Sequence, residues 1–254
     1  MSQRTSTLSF YEKGVYKIGD SVTLFGHQLV RKILENIEKD RHNRILEIAC
    51  GKGNLGSNLI KNLNSYLTGF DVSNFLINYA KRSNANNKEK LEFLVADIEN
   101  IPFRRESFDV IISVFGVSFT GNSTIIQELN YILKKNGKFI YLDIFLKKNL
   151  PHEFKKSHIF QRTCTCLHGV KTLQSQLLQL ENCGFKITLI ESYDAVLQKI
   201  LEDAKKFKEK IFSNSVAQII FTKEELDIVR LWLELYIEAL EKDLISCIMI
   251  ISSK

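Results

Sequence analysis

Short apolar segments alternate with amphipathic segments between residues 44 and 145, and this alternation limits the possible folds more than any other feature of the chain. Short apolar runs fit buried strands, whereas apolar residues spaced three and four apart fit helices. The predicted strands are 44–50, 66–70, 91–95, 108–114 and 138–145. The predicted helices are 21–39, 55–63, 73–81 and 125–133. Strands that alternate with helices favour an α/β fold, in which a parallel sheet carries helices on both faces.

The alternation ends after residue 146, where an irregular segment begins. A sixth strand and a last β-prone run are predicted at 185–190 and 244–252. We predict one domain over 1–254, in which residues 1–40 form an N-terminal lid and helix. The segments 147–170 and 195–241 are predicted to cover the sheet core.

Composition indicates a globular protein. A chain of 254 residues, 44% of them apolar, buries roughly 70–75% of its unfolded surface. The first residues lack the apolar stretch of a signal peptide, and the apolar runs are too short to cross a bilayer. Five cysteines without a regular spacing are typical of reduced thiols. These features predict a cytoplasmic protein with no membrane partner.

The formal net charge is +6, which raises the question of a nucleic-acid partner. The lysines, however, are interleaved with acids, as in the segment 205–210. This mixture favours a solvated helix face over a nucleic-acid surface.

A glycine motif follows the first predicted strand: Gly51-Lys-Gly53-Asn-Leu-Gly56 has the pattern G-x-G-x-x-G. Glycines allow the backbone to approach a ligand closely, and the helix that follows presents free N–H groups. Taken alone, the motif fits a dinucleotide site or an ordinary glycine turn. Asn54 is predicted to cap the following helix.

Three acidic residues lie at or near the ends of three successive predicted strands. Glu47 precedes the motif, Asp71 ends the second strand and Asp97 follows the third. The carboxyl ends of parallel strands share one edge of the sheet, and ligands bind there in open α/β folds. An ionised Glu47 beside the loop repels a pyrophosphate but attracts a cation. The loop therefore favours the zwitterionic, sulfonium-bearing end of S-adenosylmethionine (SAM) over a dinucleotide.

The segment Ile45-Leu-Glu47-Ile-Ala-Cys-Gly51-Lys-Gly53 resembles the first motif of class I SAM-dependent methyltransferases. Within that family the chain looks most similar to small-molecule enzymes of the ubiquinone and menaquinone biosynthesis type. The resemblance implies a Rossmann-like sheet of seven mostly parallel strands in the order 3-2-1-4-5-7-6, with the last strand antiparallel. Four further stretches carry it: Gly69-Phe-Asp71-Val-Ser, Val95-Ala-Asp97-Ile98, Ile101-Pro-Phe103 with Phe108-Asp109-Val-Ile, and Leu133-Lys-Lys-Asn-Gly137-Lys-Phe.

The resemblance also implies which residues bind the cofactor SAM. Glu47 and the glycine motif would hold the methionine end, Asp71 the ribose hydroxyls, and Asp97 with Ile98 the adenine. The family usually has glycine at the position of Ala49, and alanine restricts positive φ. The whole expected set is Glu47, Ala49, Cys50, Gly51, Gly53, Asp71, Val72, Asp97, Ile98 and Val114, without a metal.

Absent motifs favour a small-molecule methyl acceptor. The only prolines are Pro102 and Pro151, so the Pro-Pro pair of amino-methylating DNA and protein-glutamine enzymes and the Pro-Cys of cytosine-C5 enzymes are both missing. The segment Cys164-Thr-Cys166-Leu-His168 is a candidate acceptor wall. Its side chains fit ordinary buried thiols beside a pocket histidine, a site for a soft acceptor, or zinc ligands. His168 and Cys166 are the candidate catalytic residues, with His168 as a general base.

Three other functions remain open from the sequence. The glycine motif also fits an oxidoreductase of the NAD type. A SAM-binding module without turnover would keep the cofactor residues, and an RNA methyltransferase would use the lysines. The sequence leaves the oligomeric state open.

Overall fold

The computed structural model describes residue 12 and residues 21–118, 124–156, 170–213 and 222–254. Its strands are β1 (Arg44–Ile48), β2 (Tyr66–Asp71), β3 (Leu91–Val95), β4 (Phe108–Val114), β5 (Leu133–Leu146), β6 (Lys186–Ser192) and β7 (Ile245–Ser253). Its helices are α1 (Ser21–Glu35), α2 (Asn54–Ile60), α3 (Asn74–Ser83), α4 (Ile125–Ile132), α5 (His152–Lys156), α6 (Leu173–Asn182), α7 (Asp194–Ser213) and α8 (Lys223–Glu241).

The strands form one seven-stranded sheet in the order β3-β2-β1-β4-β5-β7-β6. The strands β1 to β5 pair in parallel, and β7 pairs antiparallel with both β5 and β6. The predicted α/β class, strand order and antiparallel last strand are therefore confirmed. Because β6 runs in the same direction as β5, the carboxyl ends of β1 to β6 all lie at one edge of the sheet.

Apolar side chains cover both faces of the sheet. Along β1, Ile45 belongs to one buried cluster, whereas Leu46 and Ile48 belong to the cluster on the opposite face. This division follows from the two-residue side-chain period of a strand. Apolar burial on both faces explains why the central strands read as continuous apolar runs rather than as alternating ones.

The strand β5 is longer than the sequence pattern predicts. It begins at Leu133, which pairs with Phe108 of β4, and the register then shifts so that Val110 pairs with Lys138. Asn136 has a left-handed φ of 59° within this irregular stretch. The predicted turn at Asn136 and Gly137 is therefore wrong, because these residues form an irregularity inside the strand.

The start of α2 also differs from the prediction. Gly53 is the N-cap, with a left-handed backbone and no side-chain cap, and Asn54 is the first helical residue. The predicted capping role of Asn54 is therefore wrong. Instead, the carboxylate of Glu47 on β1 accepts a hydrogen bond of 3.0 Å from the Gly56 N–H.

The C-terminal part of the chain contributes two long helices, α7 and α8, along the segment 195–241 that is predicted to cover the sheet core. The helices α7 and α8 pack against each other and against β7. The start of α7 is held by Asp194, which accepts hydrogen bonds from the Ser246 hydroxyl and the Cys247 N–H of β7, each at 2.8 Å. Over the ranges that the structure describes, none of the helices has the length and apolar character needed to cross a bilayer.

Candidate functional site

The sheet has a switch point between β1 and β4. Chain connections lead from β1 towards β3 on one side and from β4 towards β6 on the other. Ligands bind at such a point, outside the carboxyl ends of the strands. Two segments flank the crevice and are named here: the glycine loop (residues 49–53) after β1 and the post-β4 loop (residues 115–118).

Backbone geometry fixes the glycine loop. Ala49, Gly51 and Gly53 all have left-handed φ values, of 53°, 52° and 74°. The Cys50 N–H donates to the carbonyl of Phe70 at 3.0 Å, and the Gly53 N–H donates to the carbonyl of Cys50 at 2.9 Å. A Cβ built on Gly51 meets no other atom within 4 Å. Gly51 therefore faces open space that a ligand can fill.

The conformation of Ala49 carries a measurable cost. Its φ of 53° is disfavoured for an L-residue by about 1–2 kcal/mol, whereas glycine adopts it freely at an entropic cost of about 0.5–1 kcal/mol. We expect Ala49→Gly to raise the free energy of unfolding by about 0.5 kcal/mol, measured by urea denaturation. A loss of more than about 1 kcal/mol would show that this methyl group contributes packing that outweighs the strain.

Glu47 lies beneath the glycine loop with only 4% of its surface exposed. Its Oε2 accepts the Gly56 N–H of the first turn of α2, so the helix N-terminus already has an anion beside it. A second anion at the same donors would be repelled. This arrangement agrees with the predicted preference for a cationic ligand group.

Asp71 joins the glycine loop to the start of α3. Its Oδ2 accepts the Gly51 N–H at 3.0 Å and its Oδ1 accepts the Ser73 N–H at 2.9 Å. Burial raises the pKa of the Asp71 carboxyl and nearby Glu12 adds to the shift, while backbone hydrogen bonds from Ser73, Gly51 and Val72 oppose it. The carboxylate is thus fixed at the end of β2, where the sequence predicts a ribose-binding acid.

Glu12 is a site residue that sequence reasoning missed. It accepts a hydrogen bond of 2.5 Å from the Ser73 hydroxyl, and the same hydroxyl accepts the Leu76 N–H and so caps α3. Glu12 therefore lies beside Asp71, from the segment predicted to form a lid. A single glutamate in a polar N-terminal stretch gives no pattern that would reveal this contact.

Apolar side chains line the crevice next to the acids. Val72 and Val95 are 40% and 51% exposed, beside Asp71 and close to Asp97 in the chain. Ile98 is half-buried, and the Asp97 carboxylate accepts the Glu99 N–H at 3.0 Å. Exposed apolar side chains at adjacent strand ends are suited to contact an aromatic base. Asp71 pairs with Val95 across β2 and β3, so Val72 follows one strand end while Asp97 and Ile98 follow the neighbouring one.

Cys50 and Val114, two other predicted cofactor residues, differ in their placement. The Cys50 thiol is buried, with its sulfur 3.0 Å from a Cβ built on Gly69 of β2. Burial, Glu47 and Asp71 raise the pKa of this thiol well above its ordinary value, so it stays neutral. Cys50 contributes packing and backbone contacts, whereas Val114 is half-buried at the end of β4.

Three aromatic rings adjoin the post-β4 loop. Phe115, which has a left-handed φ of 56°, lies 5.4 Å from Phe25 of α1, and Phe25 lies 6.0 Å from Tyr193 at the end of β6, measured between ring centroids. The three rings form an aromatic wall beside the end of β4, in which Phe25 and Tyr193 are buried and Phe115 is half-buried. The predicted candidates Cys164, Cys166 and His168 lie outside the described residues.

Asp143 is a second site residue that sequence reasoning missed. It lies on β5 with none of its surface exposed, and it accepts hydrogen bonds from the N–H and the hydroxyl of Ser118. Burial raises its pKa to about 6, against the opposing effect of these hydrogen bonds. An aspartate inside the apolar run 139–146 was the sequence feature that could have indicated it.

The raised pKa of Asp143 predicts a pH-dependent stability. Its folded pKa of about 6 exceeds the unfolded value of about 3.9, so its contribution is full below about pH 4 and is lost as pH rises through about 6. Between about pH 7.5 and pH 5, wild type should gain about 1.4 kcal/mol relative to Asp143→Asn. Urea unfolding of both proteins at the two pH values measures this difference. Equal changes in the two proteins would contradict it.

No group of three or more His, Cys, Asp or Glu side chains with metal-binding geometry occurs in the part of the chain that the structure describes. The site there consists of carboxylates held by backbone N–H groups, a glycine loop and apolar side chains. Such an arrangement suits an organic ligand with a cationic group, hydroxyls and an aromatic ring.

Comparisons with known proteins find methyltransferases. A family model described as a methyltransferase domain matches residues 39–205. The chain is 29% identical over 138 residues to the uncharacterized methyltransferase YodH of Bacillus subtilis (strain 168), covering 54% of this chain and 59% of that protein. It is 28% identical over 120 residues to the demethylmenaquinone methyltransferase of Chlorobaculum tepidum, covering 47% and 48% of the two chains. The chain thus aligns with about half the length of these relatives.

A solved structure shares the fold. The phosphoethanolamine N-methyltransferase 2 of Haemonchus contortus, in complex with S-adenosyl-L-methionine, superposes with a TM-score of 0.77 at 17% identity. The superposition covers 100% of this chain and 58% of that one. At this identity the likeness establishes the seven-stranded architecture alone.

Proposed function

Because the chain belongs to the methyltransferase-domain family, we propose that it is a SAM-dependent methyltransferase that acts on a small-molecule acceptor. The observation that carries the proposal is the convergence of Glu47, Asp71 and the glycine loop at the switch point of the sheet. We also propose that the chain acts as a single domain, with 147–170 and 195–241 covering the sheet, and that it works in the cytoplasm.

The charges at the site favour SAM over a dinucleotide. Glu47 already lies against the N-terminus of α2, so a pyrophosphate would have to bind next to a buried carboxylate. The same carboxylate attracts the ammonium group of a methionine. Gly51 leaves room above the loop for this zwitterionic end.

Each further part of the donor has a partner in the chain. Asp71, oriented by backbone N–H groups, would accept hydrogen bonds from the ribose hydroxyls. Val72, Val95 and Ile98 provide apolar contact for adenine, and the Asp97 region provides polar atoms at its edge. When bound, SAM supplies a methyl group activated by a sulfonium. The protein aligns this group with the acceptor and excludes water.

The acceptor is proposed to enter beside the aromatic wall of Phe25, Phe115 and Tyr193. Ring faces stabilise a nearby sulfonium and pack against an apolar acceptor. His168 and Cys166 remain the proposed catalytic candidates, and no metal is proposed. Acceptors named for relatives include demethylmenaquinone and phosphoethanolamine, which differ in polarity and therefore define a useful panel.

Turnover tests this proposal. Purified protein is incubated with SAM and either a naphthohydroquinone or phosphoethanolamine, and release of S-adenosylhomocysteine is measured. We expect acceptor-dependent release, greater with the apolar naphthohydroquinone because of the aromatic wall. SAM binding without release with either acceptor would favour a binding module, and turnover that requires tRNA would favour an RNA methyltransferase.

A further inference from the structure

We propose that Asp143 is a positioning residue that fixes the post-β4 loop and thereby sets the surroundings of the reactive methyl group. The inference rests on the proposed function, since it concerns the same crevice. It assigns a role to a buried carboxylate on β5 that is not among the predicted cofactor-binding residues.

Hydrogen bonds from the post-β4 loop converge on the Asp143 carboxylate. Oδ2 accepts the Ser118 N–H at 3.1 Å, and Oδ1 accepts the Ser118 hydroxyl. Oδ1 also accepts the Ile144 N–H at 2.8 Å, and the Val117 N–H provides a further backbone hydrogen bond. Each carboxylate oxygen therefore accepts at least one backbone N–H, which cannot rotate away as a hydroxyl can.

The post-β4 loop touches the glycine loop directly. A Cβ built on Gly116 lies 3.0 Å from the Ala49 Cβ and 3.4 Å from the Ile48 carbonyl oxygen. It also lies 2.8 Å from the Ser113 Oγ, which is buried and has no hydrogen-bond partner among the described residues. The two loops therefore leave little free space between them, so a shift of one loop displaces the other.

The Phe115 ring depends on the same anchor. The Phe115 N–H donates to the carbonyl of Leu142 on β5 at 2.9 Å, next to Asp143. Asp143 thus holds the far end of the post-β4 loop while Leu142 holds its start. Releasing the Asp143 end would allow Phe115, which faces Phe25, to move relative to the methyl group.

The groups that face Asp143 leave its own ionisation as the main change of local charge between about pH 5 and pH 8. Tyr141 on β5 and Cys247 on β7 both interact with its charge, and burial raises both of their pKa values above the ordinary ones. On α7, Asp194 faces the Cys247 thiol and is itself paired with Lys147 at 3.6 Å. Protonation of Asp143 turns one of its oxygens into a donor, which the backbone N–H groups of Ser118 and Ile144 cannot accept, and an asparagine places a donating NH₂ group there at every pH.

The test observes the methyl group directly. SAM carrying a ¹³C-labelled methyl is bound to the protein, and its resonance is followed by NMR from about pH 5 to pH 8 in wild type and in Asp143→Asn. We expect the wild-type resonance to titrate with a midpoint near pH 6, after the pKa of about 6. In Asp143→Asn we expect a displaced resonance that lacks this titration, with a SAM Kd within about threefold of wild type.

Two further variants complete the experiment. Asp194→Asn alters a carboxylate that also accepts backbone and hydroxyl donors but holds α7, and it should titrate like wild type. Ser118→Ala removes the hydroxyl donor to Asp143 and keeps the backbone donors, so it should shift the midpoint of the methyl titration. This variant replaces Asp143→Asn in the test if Asp143→Asn does not fold. A wild-type titration that persists unchanged in Asp143→Asn, or in Ser118→Ala if only that variant folds, would overturn the inference. Absence of SAM binding by wild type would instead overturn the proposed function.

Discussion

Asparagine in place of Asp71 is expected to weaken SAM binding by about 100-fold, or roughly 2.7 kcal/mol. The carboxylate supplies charge-assisted hydrogen bonds to the ribose, each worth about 1.5–3 kcal/mol. Its two oxygens also accept the N–H groups of Gly51 and Ser73, so an amide nitrogen must oppose one of these donors. The glycine loop then loses one of its anchors. Isothermal titration calorimetry with SAM measures the affinity.

A control substitution at a second carboxylate distinguishes a loss of SAM binding from a loss of stability. Asp109 lies at the opposite edge of the sheet and also accepts a backbone N–H, from Arg44 at 2.9 Å, together with Lys134 at 2.8 Å. Asp109→Asn is expected to lower the free energy of unfolding while leaving the SAM Kd within about threefold of wild type. If Asp71→Asn bound SAM as tightly as Asp109→Asn, Asp71 would not contact the ribose.

Gly53→Ala is expected to cost about 2–5 kcal/mol of folding free energy. The φ of Gly53 is 74°, which strains any L-residue by about 1–2 kcal/mol. In addition, a Cβ at this position would lie 2.3 Å from the Cζ of Phe93, and such overpacking adds about 1–3 kcal/mol. The Phe93 ring is buried in the core and has little room to move. Urea denaturation measures the loss.

Two other glycines with positive φ serve as controls. A Cβ on Gly184 has a nearest neighbour at 3.7 Å, and a Cβ on Gly51 has none within 4 Å. Both alanine variants should therefore lose only the strain of about 1–2 kcal/mol. Gly51→Ala should in addition weaken SAM binding, because its methyl group enters the crevice, whereas Gly184→Ala should not. Equal stability losses at Gly53 and Gly184 would contradict the steric argument.

The sequence predicted the sheet well because buried parallel strands leave a strong pattern. The strands β3 and β4 begin and end where the apolar runs do. The start of β5 was missed because Lys134 and Asn136 read as a polar turn, although Leu133 pairs with Phe108 across the irregularity. The strand order came from the family resemblance, since local patterns carry no information about which strands are neighbours.

The candidate site was predictable where an ionisable residue lies at the end of a predicted strand, close to the glycine motif. Glu47 and Asp71 lie at strand ends beside a glycine motif, and both are hydrogen-bonded to the loop or helix that the motif begins. The cap of α2 was assigned to Asn54 because capping rules consider local residues, whereas the real acceptor comes from β1. The contact between Asp143 and Ser118 joins β5 to the post-β4 loop, and no local pattern indicates such a contact, although an aspartate inside an apolar run does single out Asp143 itself.

The most direct test of the central claim is a paired titration of the wild-type protein with SAM and with NAD⁺. The buried Glu47 carboxylate at the N-terminus of α2 predicts that SAM binds with a Kd on the order of 10 μM, typical of enzyme substrates. It also predicts that NAD⁺ binds at least about 100-fold more weakly, because its pyrophosphate would face that carboxylate. NAD⁺ binding as tight as that of SAM, or no binding of SAM, would contradict the account.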